Sequence, residues 1–140
     1  MPLNTLTPEF LCSNLKRSLD FYTGMLGFQI LFDRPEHKFA YLEREGAHIM
    51  LEELGAGREW ITGELDYPFG RGVNFQIAVS DATGLYNSIQ KETWPVYLPL
   101  EEKWYRNNDV LRGNRQFIIQ DPDGYLLRFA QDLGSKPVSE

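Results

Sequence analysis

The sequence predicts an α+β fold built twice on one plan, a strand, then a helix, then three further strands. Three observations predict it. Helix-capping pairs Ser13-Asn14 and Ser80-Asp81 stand 67 residues apart, each directly behind a short apolar strand. Each helical stretch is followed by three strand candidates, and the two halves are joined by a polar, Gly-rich stretch. The halves share pattern and not letters, so the repeat is one of order. At 140 residues the chain has the length of one domain and can bury about two-thirds of its unfolded surface. We therefore expect a single domain over 1–140, with module one at about 5–54 and module two at about 72–132.

The first half opens with a strand, Thr7-Pro8-Glu9-Phe10-Leu11-Cys12. Ser13 and Asn14 offer N-cap oxygens, and Leu15, Leu19, Phe21, Tyr22 and Leu26 follow at helical spacing until Gly27 stops the run. Strands are predicted at Phe28–Phe32, Phe39–Glu43 and Ala47–Glu53, with Glu45-Gly46 as the turn between the last two. In the second half, Val73–Val79 reads as a strand and Ser80-Asp81 caps a helix through Leu85, Tyr86 and Ile89. Pro95–Pro99, Arg115–Gln120 and Tyr125–Gln131 complete it, and Asp121-Pro122-Asp123-Gly124 is a tight turn. Two stretches read as irregular: Leu54–Gly72, with Trp60, Tyr67 and Phe69, and Leu100–Asn114, with Trp104 and Tyr105 among charges. Loops of that length in a small domain tend to carry function.

Composition narrows the function classes. A net charge of −6 leaves no basic footprint for a nucleic-acid backbone, and no apolar run is long enough for a membrane span. Cys12 is the single cysteine, so no internal disulfide forms; together with the lack of a secretory leader this predicts a cytoplasmic protein. No Gly-rich phosphate loop, nucleophile elbow or paired cysteine cluster is present. Cys12 lies within a strand, where an inert buried thiol is the expectation. Adjacent Glu52 and Glu53 point to opposite faces of a strand and cannot act as one dyad. The Asp121–Gly124 run lacks the spaced acidic ligands of a calcium loop.

Three segments carry a resemblance to a known family: Ser13 to Phe28, with its Ser18-Leu19-Asp20-Phe21-Tyr22 core; His48-Ile49-Met50-Leu51-Glu52; and Asp121 to Phe129. With these the chain resembles the vicinal-oxygen-chelate superfamily, which includes glyoxalase I, extradiol dioxygenases, and fosfomycin- and bleomycin-resistance proteins. The resemblance implies paired βαβββ modules whose mixed sheet curls into a half-barrel around a pocket, with the helices outside. It also implies a divalent metal in the superfamily's enzymes, held by His, Glu or Gln from the first and last strands of both modules. Carried over, those positions here are Thr7, Met50, Asn74 and Arg128. Threonine and asparagine are poor ligands, methionine suits soft metals, and arginine adds a fixed positive charge. We therefore expect neither a metal site nor another cofactor, and no catalytic residue is assigned. A rescue through His48 with Glu9, Glu52 or Gln76 would depart from the family pattern, and we read His48 as a half-exposed strand residue.

Without metal ligands, the pattern is most similar to bleomycin-resistance proteins. That resemblance implies a metal-free homodimer sequestering a glycopeptide antibiotic, or a similar cationic aromatic ligand, in a groove at the dimer interface. The alternative is a glyoxalase- or dioxygenase-type lyase or oxidoreductase with altered metal ligands. Such a ligand calls for flat aromatic surfaces and carboxylates. The candidate ligand-binding residues are Phe39, Met50, Glu52, Asn74, Gln76, Trp104, Tyr105, Arg115 and Arg128, with Trp104 and Tyr105 expected to close over the groove from a loop.

Overall fold

A computed structural model describes residues 4–57 and 60–138. The chain divides into two compact units, one running up to Phe69 and including Asp121–Gly124, the other from Gly70 to Gln120 and onward from Tyr125.

In the first unit β1 (Glu9–Cys12) leads into α1 (Leu15–Leu19), and β2 (Gln29–Arg34), β3 (Phe39–Arg44) and β4 (Ala47–Glu53) follow. The sheet order is β1-β4-β3-β2, with β1 parallel to β4 and the other pairs antiparallel. Asn14 caps α1 by accepting from the Arg17 N–H at 2.9 Å. Glu53 accepts from the Leu15 N–H at 2.9 Å and from Lys38, which holds its carboxyl below the usual range. The expected single helix is two segments: after Leu19 the backbone widens into a π-helix over Asp20–Met25, with Thr23 Oγ1 donating to the Leu19 carbonyl at 2.6 Å. One face of the sheet buries Phe10, Cys12, Ala40, Leu42, Ile49 and Leu51 with the helix residues Phe21, Tyr22 and Leu26. Strand alternation explains this, since these residues share one side of their strands.

Burial raises the Cys12 thiol from its ordinary 9.0 to about 12, so almost no thiolate forms at neutral pH. An aromatic disulfide reagent at pH 8 should therefore leave folded protein unmodified and label one thiol per chain in denaturant. Rapid labelling without denaturant would refute this.

The second unit repeats the plan with β5 (Asn74–Ala78), α2 (Ala82–Lys91), β6 (Leu98–Asn107), β7 (Val110–Gln120) and β8 (Leu126–Pro137) in the order β5-β8-β7-β6. Asp81 caps α2 through the Gly84 N–H at 3.0 Å, and Gln131 accepts from the Ala82 N–H at 3.0 Å. Tyr86 of α2 meets Phe117 at 5.2 Å, and Phe117 stacks on Phe129 at 5.3 Å. Neither sheet closes into a barrel. The α+β class and the repeated order thus match the reading of the sequence.

The reading of the second connecting stretch fails. Leu100–Asn114 is not irregular: it is most of a long β6–β7 hairpin, turning at Asn108, whose φ is +60°. Both faces of that ribbon are largely exposed, so it lacks the apolar alternation that marks a half-buried strand. The strand expected at Pro95–Pro99 starts only at Leu98. Among the described residues of Leu54–Gly72 there is no helix or strand. No helix among the described residues is long and apolar enough to cross a membrane.

Candidate functional site

The sheet of the first unit has a second face, and strand register decides what it shows. Glu9 pairs with Met50, Tyr41 with Met50, and Phe39 with Glu52, so all five side chains point away from the helix-covered core. On the edge strand β2, Phe32 pairs with Tyr41 and Arg34 with Phe39. Phe32 stacks on Tyr41 with ring centroids 4.8 Å apart and planes at 16°. The Arg34 guanidinium lies 4.2 Å above the Phe39 ring and 5.7 Å from that of Phe32. A cavity of about 410 Å³ opens on this face, lined by Glu9, Arg34, His37, Phe39, Glu52 and Trp60.

The electrostatics of the cavity centre on two carboxylates. Loss of water around Glu9 pushes its carboxyl above the usual range, the negative charge of Glu52 pushes the same way, and Arg34 pulls back. Glu52 is hemmed in from the loop side. A Cβ on Gly57 would stand 2.6 Å from Glu52 Oε2, so a side chain at 57 would push the Glu52 carboxylate aside. His48 is not half-exposed as expected. It is buried, with Nδ1 2.7 Å from the Tyr41 hydroxyl, in edge-on contact with that ring. Pairing with Glu43 puts it on the aromatic face, where Tyr41 satisfies its ring nitrogen.

The second unit gathers other candidates. Arg128 pairs with Gln76 in register and donates from Nη1 to Gln76 Oε1 at 2.8 Å and from Nε to Asn74 Oδ1 at 3.0 Å. Trp104 lies on the hairpin, and its ring fills the space a Cβ would need on Gly113 opposite, at 2.6 Å. Lys136 Nζ sits 4.0 Å from that ring and Glu102 accepts from its Nε1 at 3.0 Å. Arg115 is engaged by Glu102 at 3.1 Å. Tyr105 is half-exposed and lines a smaller cavity of about 300 Å³ with Gln76, Ala78, Asn114 and Ala130 and the ion pair of Arg112 with Asp132. Of the residues singled out from sequence, Phe39, Met50 and Glu52 therefore share one face in the first unit. Asn74, Gln76 and Arg128 share one in the second, Trp104 and Arg115 are tied to hairpin partners, and Trp104 is no loop residue.

The divalent metal of the superfamily's enzymes does not fit the side chains present. Thr7 Oγ1 lies 3.4 Å from the Tyr41 hydroxyl, Met50 offers a thioether, and the Asn74 oxygen is taken by a guanidinium. Among the described residues no three His, Cys, Asp or Glu side chains come together as a ligand set. Four cavity residues, Glu9, Arg34, His37 and Trp60, were not among the binding candidates. The register of β2 against β3 carries the signal for Arg34: Phe32, Arg34 and Phe39 meet once the bulge between Ile30 and Phe32 is known. A hydrophobicity pattern does not show such a bulge.

Comparison with known proteins agrees with this architecture. The model of the Glyoxalase/Bleomycin resistance protein/Dioxygenase superfamily matches residues 5–129. A glyoxalase/bleomycin resistance protein/dioxygenase superfamily member from Vibrio splendidus 12B01 is 36% identical over 89% of this chain and 95% of that one, with a TM-score of 0.43. TioX from Micromonospora sp. ML1 is 22% identical over 93% of this chain and 99% of its own, with a TM-score of 0.68. A glyoxalase/bleomycin resistance protein/dioxygenase from Alicyclobacillus acidocaldarius is 20% identical over 93% and 92%, with a TM-score of 0.62. No curated protein matches the chain. Two strand–helix–three-strand units and a family match across nearly the whole sequence make this chain a member of the glyoxalase/bleomycin resistance protein/dioxygenase superfamily.

Proposed function

We propose that the protein binds a small molecule without turning it over, and that its ligand is cationic and aromatic, of the glycopeptide-antibiotic kind that bleomycin-resistance proteins sequester. The observation that carries this reading is the meeting of Glu9 and Glu52 beside the Phe39 ring. Two carboxylates repel one another there strongly enough to help raise Glu9, and a bound cation would relieve that repulsion. Trp60, three-quarters exposed in the lining of the cavity, supplies a flat surface for an aromatic ring. Arg34 lies over the Phe39 ring, the contact that a ligand cation would make in its place. By the resemblance to bleomycin-resistance proteins, we propose a cytoplasmic homodimer as the working form.

Titration of a bleomycin-class glycopeptide followed by tryptophan emission tests this, because Trp60 lines the cavity and is three-quarters exposed. Saturable quenching with matching heat in calorimetry is expected, and loss of the quench in Trp60→Phe places the ligand in this cavity. No quench and no heat at high micromolar ligand would overturn the reading. Light scattering at twice the 16.2 kDa chain mass is expected for the dimer, and a monomer mass would remove it.

A further inference from the structure

We infer that Arg128 is a preorganised anchor for the carboxylate of a small organic ligand, at a site that shares no residue with the carboxylate-lined cavity. Of the described arginines, Arg17, Arg44, Arg112 and Arg115 each meet a carboxylate (Asp123, Glu45, Asp132 and Glu102 respectively), while Arg34 lies over the Phe39 ring and Arg106 donates to the Asn108 carbonyl. Arg128 differs. Among the described residues no carboxylate lies within ion-pair distance of it, and its hydrogen bonds go to two neutral amide oxygens, Asn74 Oδ1 and Gln76 Oε1.

That arrangement fixes the guanidinium without neutralising it. Asn74 and Gln76 alternate on β5, so both amides stand on the side of the sheet where Arg128 projects from β8. A guanidinium has five N–H donors, and these two bonds leave three unspent on a planar group held in place. Two parallel N–H bonds to a carboxylate are the pairing such a group is shaped for, and holding the fork still in advance removes part of the ordering cost. Two neutral amides in place of an aspartate or glutamate keep the positive charge available.

The neighbouring surface has room for the rest of a ligand. Two residues on from Gln76 and Arg128 along their strands come Ala78 and Ala130, and the cavity of about 300 Å³ runs from Gln76 over these alanines to Asn114 and Tyr105, with Asp132 in its lining neutralised by Arg112 at 2.8 Å. Small side chains at those two positions create the space, and Tyr105 supplies an aromatic wall. An anion with a short organic body fits this pairing of fixed charge and adjacent hollow better than a bare ion.

The test is side-chain nitrogen NMR on the intact protein, with phenylacetate as probe and chloride at equal ionic strength as control. In the wild-type protein the Arg128 Nε–H and Nη signals should move saturably with phenylacetate, more than those of Arg17 and Arg115, and chloride should not reproduce the movement. Arg128→Gln should weaken phenylacetate binding about tenfold or more, as loss of a charged hydrogen-bond pair predicts. Arg128→Lys, which keeps the charge and loses the fork, should also weaken it. Equal movement of all three arginines, or an equal response to chloride, would overturn the proposal from wild-type spectra alone, whatever the variants' stability. Full affinity in folded Arg128→Gln would overturn it as well.

Discussion

Replacing Asp123 by alanine should lower stability by about 3 kcal/mol, because its side chain is a buried acceptor on which several donors converge. Asp123 Oδ2 accepts from the Ser13 N–H at 3.0 Å, while Oδ1 accepts from Ser13 Oγ at 2.6 Å and Arg17 Nη2 at 3.2 Å. Its neighbour Asp121 accepts from the Tyr22 hydroxyl at 2.8 Å and from the Asp123 N–H at 2.9 Å. The Asp121–Gly124 turn therefore docks through two carboxylates, both under 4% exposed, Asp123 on the start of α1 and Asp121 on the π-helical segment that follows it. Alanine at position 123 leaves the Ser13 N–H and hydroxyl without their acceptor and Arg17 without its counter-charge. Arg17 is half in solvent, so its share of the loss is the smaller one. Asp123→Asn keeps one acceptor oxygen and should fall between alanine and wild type. Urea unfolding measures all three, with the midpoint shifting and the slope unchanged. A loss under 1 kcal/mol for Asp123→Ala would mean the turn is held elsewhere, and Gly124, with φ +102° and Pro68 against its missing Cβ, would be the place to look.

That network shows where sequence reading works and where it stops. Asp121-Pro122-Asp123-Gly124 is legible as a turn because proline, glycine and short acidic side chains suit one, and β7 and β8 do flank it. Nothing local says that its carboxylates seek Ser13 and Tyr22, more than ninety residues earlier in the chain, since that partnership arises only on folding. The same divide runs through the sheets. β4 begins and ends as alternation predicts, because one of its faces is buried and the pattern is clean. The β6–β7 hairpin is illegible for the opposite reason: Glu101, Lys103 and Arg106 decorate a ribbon exposed on both sides, stabilised by pairs such as Trp104 on Gly113 that appear only in register. For the cavity, Phe39 and Glu52 are readable from their strands. Glu9 could be placed on that face yet not weighed, because its importance comes from Glu52 on a strand that pairs with it from far along the chain.

Phenyltrimethylammonium, a permanently charged aromatic cation, should bind the first-unit cavity more tightly as pH rises through the range in which Glu9 ionises. In the free protein that carboxyl is raised, first by loss of surrounding water and then by Glu52, with Arg34 opposing. A bound cation favours the charged form and lowers it again, so binding expels a proton wherever the free carboxyl is still protonated. Affinity then climbs with pH up to the raised value of the free carboxyl and is flat above it. The probe has no titrating group, so the slope belongs to the protein. Glu52 and His37 face the same cavity and are the other groups able to contribute. Glu9→Gln should remove the step and weaken binding about tenfold at pH 7, the scale of one charge–charge contact near a protein surface. His37→Gln should keep the step. Stability gives an independent check with the opposite sign: a carboxyl raised by folding takes up more protons in the folded than in the unfolded chain between 4.5 and its raised value, so wild-type stability falls as pH rises across that window. Glu9→Gln should flatten that fall and leave the protein slightly more stable at pH 7. If affinity for the probe is the same at pH 4 and pH 7, or if Glu9→Gln binds it as well as wild type, the two carboxylates are not what this cavity offers a ligand.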